Sequence, residues 1–113
     1  MNSKVKTKLP LDLGKMHFIG IGGIGMSGIA EIIYNLGYKV SGSDLKYTPI
    51  INRLIKMGID VKIGHDSKNI DAAEIIVISS AIDSKNLELK EARRKKIPVI
   101  RRSEILAELM RLK

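Results

Sequence analysis

The sequence predicts an α/β fold: a five-stranded, mainly parallel sheet with helices on both faces. Three observations carry that prediction. Five short apolar runs suited to strands alternate with four segments of helical spacing. The first run breaks into glycines at Gly20, Gly22 and Gly25 just before a helical pattern starts. Glu74-Ile75-Ile76-Val77-Ile78 is a nearly continuous aliphatic run, as expected of a strand buried on both faces.

Taken in order, Met16 to Ile21 reads as the first strand, and Gly20, Gly22 and Gly25 fit G-x-G-x-x-G at the turn into the first helix. In such a turn the first glycine permits the tight bend and the second lets backbone approach a pyrophosphate. The third lets the helix pack on the strand. The helix carries Ile24, Ile29, Ile32, Ile33 and Leu36 near one face, and Gly37 stands where a terminating glycine is expected. A second strand spans Tyr38 to Ser43, ending at Asp44. Thr48-Pro49 reads as an N-cap followed by proline at the first helical position. The helix it opens buries Ile50, Ile51, Leu54 and Ile55 and stops at Gly58.

Ile59 to Ile63 alternates apolar and polar residues, which suits a third strand near a sheet edge, and Gly64 to Ser67 is a loop from its carboxyl end. After the Glu74–Ile78 run, Asn86 to Lys95 forms a charged helix anchored by Leu87, Leu89 and Ala92. Ile97 to Ile100 is the fifth strand, with Pro98 tolerated near its start. A last helix carries Ile105, Leu106, Leu109 and Met110, with Ser103 placed to cap it. The rhythm is Rossmann-like, with an expected strand order 3-2-1-4-5. Ligands of such sheets bind beyond the carboxyl ends of the strands, where the order reverses. The glycine loop, Ser43-Asp44, His65, Ser79-Ser80 and Arg101-Arg102 all fall at that end.

Composition narrows the function. The chain has 113 residues, enough for one domain with its own core, and its 44% hydrophobic content predicts folding rather than disorder. It has no cysteine, so disulfide staples and thiol nucleophiles are excluded, which suits a cytoplasmic protein. No apolar run approaches a membrane span, and residues 1–15 lack the apolar segment of a signal peptide, reading as a mobile lead-in before a domain over 16–113. The net charge of +8 is scattered over both ends and one helix, and the four aromatics do not interleave with it. That pattern fits a solvated basic surface and not a nucleic-acid partner. G-x-x-x-x-G-K-[ST] is absent, and the sequence offers no metal-ligand cluster and no nucleophile beside a base.

The candidate site is therefore one for binding. Helix-start N–H groups lack intrahelical partners and carry the positive end of the helix dipole, so the glycine loop is suited to a phosphate. Ser27 is placed either to donate to that phosphate or to cap the helix. Asp44, 24 residues after Gly20, is placed to accept from ribose hydroxyls or to start a turn. By these residues alone a nicotinamide dinucleotide, as NAD(P), would serve as well as another nucleotide.

Four segments together resemble the UDP-N-acetylmuramate–L-alanine ligases of the peptidoglycan Mur ligase family. They are His17 to Glu31, Gly37 to Asp44, Val77 to Ile82 and Ile97 to Met110, in that order, within a resemblance running from His17 to Leu112. The resemblance implies an N-terminal domain that binds the UDP portion of UDP-N-acetylmuramate and not a nicotinamide cofactor. It implies that Gly22, Gly23, Ile24, Gly25, Met26 and Ser27 hold the diphosphate and that Asp44 sits at the ribose. It places His65 with Ser79, Ser80, Ala81 and Ile82 near the uridine, and includes Arg102 in the site. Full-length enzymes of this kind use ATP and Mg2+ to join L-alanine to the lactyl carboxylate through an acyl-phosphate. The family's ATP loop follows soon after the stretch resembling Ala107 to Leu112, whereas this sequence ends at Lys113. The expectation is a substrate-binding domain with no catalytic residues, no ATP and no metal site of its own.

Overall fold

The computed structural model describes residues 14–111, the side chain of Leu109 excepted. Residues 1–13 of the expected lead-in over 1–15, and the side chain of Leu109 on the last helix, lie outside the described residues. In chain order the elements are β1 (Lys15–Ile19), α1 (Ile24–Asn35), β2 (Val40–Asp44), α2 (Pro49–Met57), β3 (Asp60–Ile63), a 3-10 turn (Ser67–Ile70), β4 (Ala73–Ile78), α3 (Leu87–Arg94), β5 (Val99–Arg101) and α4 (Arg102–Arg111). The five strands form one sheet in the order β3-β2-β1-β4-β5, every neighbouring pair parallel. This is the expected Rossmann-like arrangement, with β3 at an edge.

Side-chain alternation along the strands divides the core into two layers. Met16 and Phe18 of β1 with Ile75 and Val77 of β4 face a cluster that also holds Met26, Ile29 and Ile33 of α1, Ile51 and Leu54 of α2, and Ile105 of α4. On the other face, Ile19 and Ile76 pack with Leu89 and Ala92 of α3 and with Ile70 of the 3-10 turn. Three helices thus cover one face and one covers the other. The thinner layer is completed by polar side chains, described below.

Several boundaries and faces differ from the sequence reading, each for a local reason. β1 starts at Lys15 and ends at Ile19, because Gly20 turns at φ 79° and the N–H groups of Gly20 and Ile21 both donate to the Ser43 carbonyl (2.8 and 3.0 Å). In α1 the buried face is Met26, Ser27, Ile29, Ala30 and Ile33. Ile32 and Leu36 lie off it and are exposed, and Ile24, 88% exposed, stands on the first turn. Gly37 follows the helix at φ 102°, and the Tyr38 N–H closes back on the Ile33 carbonyl (3.3 Å), so β2 begins at Val40.

The start of α2 follows the sequence: the Thr48 side chain accepts from the Ile51 N–H (3.2 Å), Pro49 is the first helical residue and Gly58 ends the helix. Ile55 on α2 is exposed, as are Leu106 and Met110 on α4. Ser103 is not the cap of α4. The helix starts one residue earlier, and the Glu104 carboxylate accepts from the Arg101 N–H (2.6 Å), the reaching-back half of a capping box. On α3, Asn86 is the N-cap, its side chain accepting from the N–H groups of Glu88 and Leu89. Leu87, expected as an anchor, is 56% exposed, while its neighbour Glu88 is 0% exposed.

Candidate functional site

The site is built where β1, β2, β4 and β5 deliver their carboxyl ends. The glycine loop is fixed by backbone bonds to β2, and the Gly23 N–H donates to the Gly20 carbonyl (3.1 Å). Gly23 then serves as N-cap of α1 with no side-chain cap and no acidic residue in the first turn. The N–H groups of Ile24, Gly25 and Met26 precede the first intrahelical bond, which the Ser27 N–H makes to Gly23 (2.8 Å). They are therefore available to an anion, and α1 adds its positive dipole end. Met26 and Ser27 turn their side chains inward. The Ser27 hydroxyl donates to the Ile24 carbonyl (3.1 Å), so it neither caps the helix nor stands free beside the loop.

Arg102, the first residue of α4, lies against this helix start. A methyl group at Gly25 would stand 2.9 Å from Arg102 Nη1 and 3.1 Å from its Cζ. Arg102 is half-buried, and its guanidinium makes no hydrogen bond or ion pair among the described residues. With Arg101 and Arg93 it borders an open cleft of about 530 Å³, lined also by Ile78, Ser79, Ser80, Ile82, Ser84, Leu89 and Ser103. Ser79 Oγ accepts from the Ala81 N–H (3.3 Å), which sets the turn after β4. Ser79, Ser80, Ile82 and Arg102 of the expected residues thus share one cleft. Gly25 touches Arg102, while Asp44 and His65 stand outside that lining.

Asp44 ties the glycine loop to β2. One carboxylate oxygen accepts from the Gly22 N–H (2.8 Å) and the other from the Leu45 N–H (2.7 Å). Each oxygen keeps a further lone pair for a ligand hydroxyl. A Cβ on Gly22 would meet Asp44 Oδ2 at 2.7 Å and Ile51 Cδ1 at 2.8 Å, so the absence of a side chain there serves the protein's own close packing. This packing is a second reason for glycine here, beside the expected approach of backbone to a pyrophosphate.

Beside Asp44, Ser43 faces the other layer and enters a buried polar network. Glu88 Oε1 accepts from His17 Nε2 (2.7 Å) and from Ser43 Oγ (2.7 Å). Its Oε2 accepts from the Asp66 N–H (3.1 Å) and Asn69 Nδ2 (2.7 Å). Ser43 Oγ is also 2.8 Å from His65 Nδ1, and His17 Nδ1 is 2.8 Å from Ser41 Oγ. Burial pushes the Glu88 carboxyl up. The hydrogen bonds from His17, Ser43 and Asn69, with the charge of His17, outweigh it and hold the group at about 2. His65 is thus held from inside, with 14% of its side chain exposed.

Sequence reading passed over His17 and Glu88. His17 interrupts an apolar strand, and Glu88 precedes Ala92 by four residues, which puts it on the buried face of α3. That spacing was the available signal. Among the described residues no three His, Asp or Glu side chains group to hold a metal ion.

Comparison with known proteins agrees with this architecture. The chain is 61% identical over 107 residues to the UDP-N-acetylmuramate–L-alanine ligase of Maricaulis maris, covering 95% of this chain and 23% of that protein. It superposes on the crystal structure of the UDP-N-acetylmuramate-alanine ligase MurC from Thermotoga maritima with a TM-score of 0.83 at 31% identity, over 86% of this chain and 23% of the other. The UDP-N-acetylmuramate:L-alanyl-gamma-D-glutamyl-meso-diaminopimelate ligase of Neisseria meningitides gives 0.73 at 33% identity, over 80% and 29%. This chain therefore spans about a quarter of the length of these relatives. The family model for the catalytic domain of Mur ligases matches residues 15–113, nearly the whole chain, which accordingly belongs to the Mur ligase family.

Proposed function

We propose that this chain is the substrate-binding domain of an ATP-dependent ligase that adds L-alanine to UDP-N-acetylmuramate in cytoplasmic peptidoglycan synthesis. In this reading it binds the UDP portion and is not catalytic alone. The supporting observation is the pairing of an uncapped α1 start with the Arg102 guanidinium, which lies against Gly25 and has no hydrogen-bond or ion-pair partner among the described residues. Two positive groups facing one space, with no acid in that first turn, are stabilised by a diphosphate between them. The N–H groups of Ile24, Gly25 and Met26 would hold one part of it and Arg102 another. Asp44, already oriented by Gly22 and Leu45, would accept from a ribose hydroxyl. His65, Ser79, Ser80 and Ala81 would border the rest of the nucleotide.

ATP and Mg2+ would supply carboxylate activation in the complete enzyme. Neither fits the residues of this chain, which lacks a G-x-x-x-x-G-K-[ST] loop and, among the described residues, a metal-ligand group. What these residues do is hold and orient the nucleotide sugar. The alternative is a nicotinamide-binding module, because loop and Asp44 alone suit either ligand.

An NMR titration of the 113-residue chain with UDP-N-acetylmuramate, with NAD in parallel, separates the two. Shifts at Gly22 to Ser27, Asp44 and Arg102 with the UDP-sugar alone are expected. Shifts with NAD alone would replace this reading with the nicotinamide one, and no response to either would overturn both.

A further inference from the structure

The buried network constrains the proton between Ser43 and His65. Glu88 is ionised, so its hydrogen-bond partners are donors: His17 Nε2 and Ser43 Oγ to one oxygen, the Asp66 N–H and Asn69 Nδ2 to the other, with His65 Nδ1 a further 3.4 Å from that second oxygen. A serine hydroxyl has one proton. Ser43 commits it to Glu88, so at its 2.8 Å contact with His65 Nδ1 it must accept, and Nδ1 must carry the hydrogen. Neutral His65 is then unprotonated at Nε2, which makes no hydrogen bond among the described residues.

We propose that Glu88 is a positioning residue that acts through Ser43 to fix His65 as the Nδ1–H tautomer. His65 Nε2 is thereby an obligate acceptor that reads an imide N–H on a pyrimidine base. The second half rests on the proposed nucleotide binding; the first does not. A hydroxyl can turn to donate or accept, so a fixed acceptor discriminates only at a base edge. Uracil presents an N–H at that edge where cytosine presents a lone pair.

Glu88→Gln, nearly isosteric, inverts the relay. The Asp66 backbone donor cannot reverse, and the Asn69 amide also donates to the Gly64 carbonyl (3.1 Å), so the glutamine oxygen must face them. Its NH2 then faces His17 and Ser43. His17 then keeps a proton only on Nδ1, toward Ser41 Oγ. Ser43 accepts and turns its own proton to His65 Nδ1, and His65 becomes the Nε2–H tautomer.

The test is long-range 1H–15N NMR of His65, which reads directly which ring nitrogen carries the proton. Wild-type should show Nδ1–H and Glu88→Gln Nε2–H. Nε2–H in the wild-type protein would overturn the relay whether or not the variant folds, and without reference to any ligand. Titration with UDP and CDP then tests the reading of the base. The wild-type preference for UDP should fall about tenfold or more in Glu88→Gln, as for one reversed hydrogen bond. An unchanged preference overturns the role of Nε2, whereas wild-type protein that binds neither nucleotide overturns the proposed function and leaves the tautomer result standing.

Discussion

Acid should remove a specific part of the stability of this fold through Glu88. The carboxyl falls from an ordinary 4.5 to about 2 on folding, because the donors around it outweigh its burial. At about 1.4 kcal/mol for each tenfold change in proton affinity, that amounts to roughly 3 kcal/mol. The sign follows from the direction. A lowered carboxyl contributes its full share above the unfolded value of 4.5 and loses it as pH falls toward 2. Between about pH 5 and about pH 3 the loss works out at about 2 kcal/mol. Other carboxylates titrate in the same range, so the comparison must be with Glu88→Gln, which has nothing to protonate at this position. Urea unfolding followed by circular dichroism at each pH gives both profiles. The stability gap between wild type and variant should narrow by about 2 kcal/mol over that interval. Parallel profiles would refute the assignment of a strongly depressed carboxyl to this site.

Three further outcomes are expected. Gly25→Ala should hold or raise stability, since alanine favours the helix by about 1 kcal/mol and Arg102 can swing aside, yet it should weaken UDP-sugar binding measured by calorimetry. Equal affinity in that variant would remove Arg102 from the diphosphate site. Asp44→Ala should weaken the same binding by about 1–3 kcal/mol, the loss of hydrogen bonds to a charged acceptor, with an accompanying NMR shift at the freed Gly22 N–H. Lys96, just past α3 at φ 60°, occupies a conformation that glycine adopts without strain, so Lys96→Gly should raise the urea midpoint by an amount equivalent to about 0.5–1 kcal/mol.

The order of strands and helices was legible because it rests on periodicity and turn chemistry, which are local. Thr48-Pro49, Gly58 and the glycine turn each name their own backbone geometry, and the structure follows them. The parallel order followed from right-handed crossovers with few alternatives. What stayed hidden depends on partners distant in sequence. Glu88 reads as one more charge on a charged helix until His17, 71 residues earlier, and Ser43, 45 residues earlier, are brought against it. Ser27 has the right type and spacing for a phosphate contact, but its hydroxyl is satisfied by the Ile24 carbonyl one turn away. Ile24, Ile32 and Leu36 share a residue type with the buried face of α1 without sharing its direction, and residue type was the stronger cue in the sequence.

The end of β2 explains how two differently built halves make one site. Successive residues of a strand point to opposite faces. Ser43 therefore sends its hydroxyl into the layer with Glu88 and His65, while Asp44 sends its carboxylate to the glycine loop. Their backbone makes the opposite division: the Ser43 carbonyl accepts from Gly20 and Ile21, and the Asp44 carbonyl accepts from Gly64 (2.7 Å), next to His65. The loop that would hold phosphate and the histidine that would read the base are thus referenced to two adjacent residues. A shift of the strand backbone at either should move both, whereas loss of one side chain should disturb only the half it serves. Ser43→Ala, which removes only the hydroxyl, should leave the backbone bonds to Gly20 and Ile21 intact and release His65 from its hydroxyl partner. Loss of His65 order with an unchanged glycine loop, read from NMR shifts of each, is the pattern this arrangement requires. Equal disturbance of both would mean that the halves are coupled through the hydroxyl itself and not through the strand.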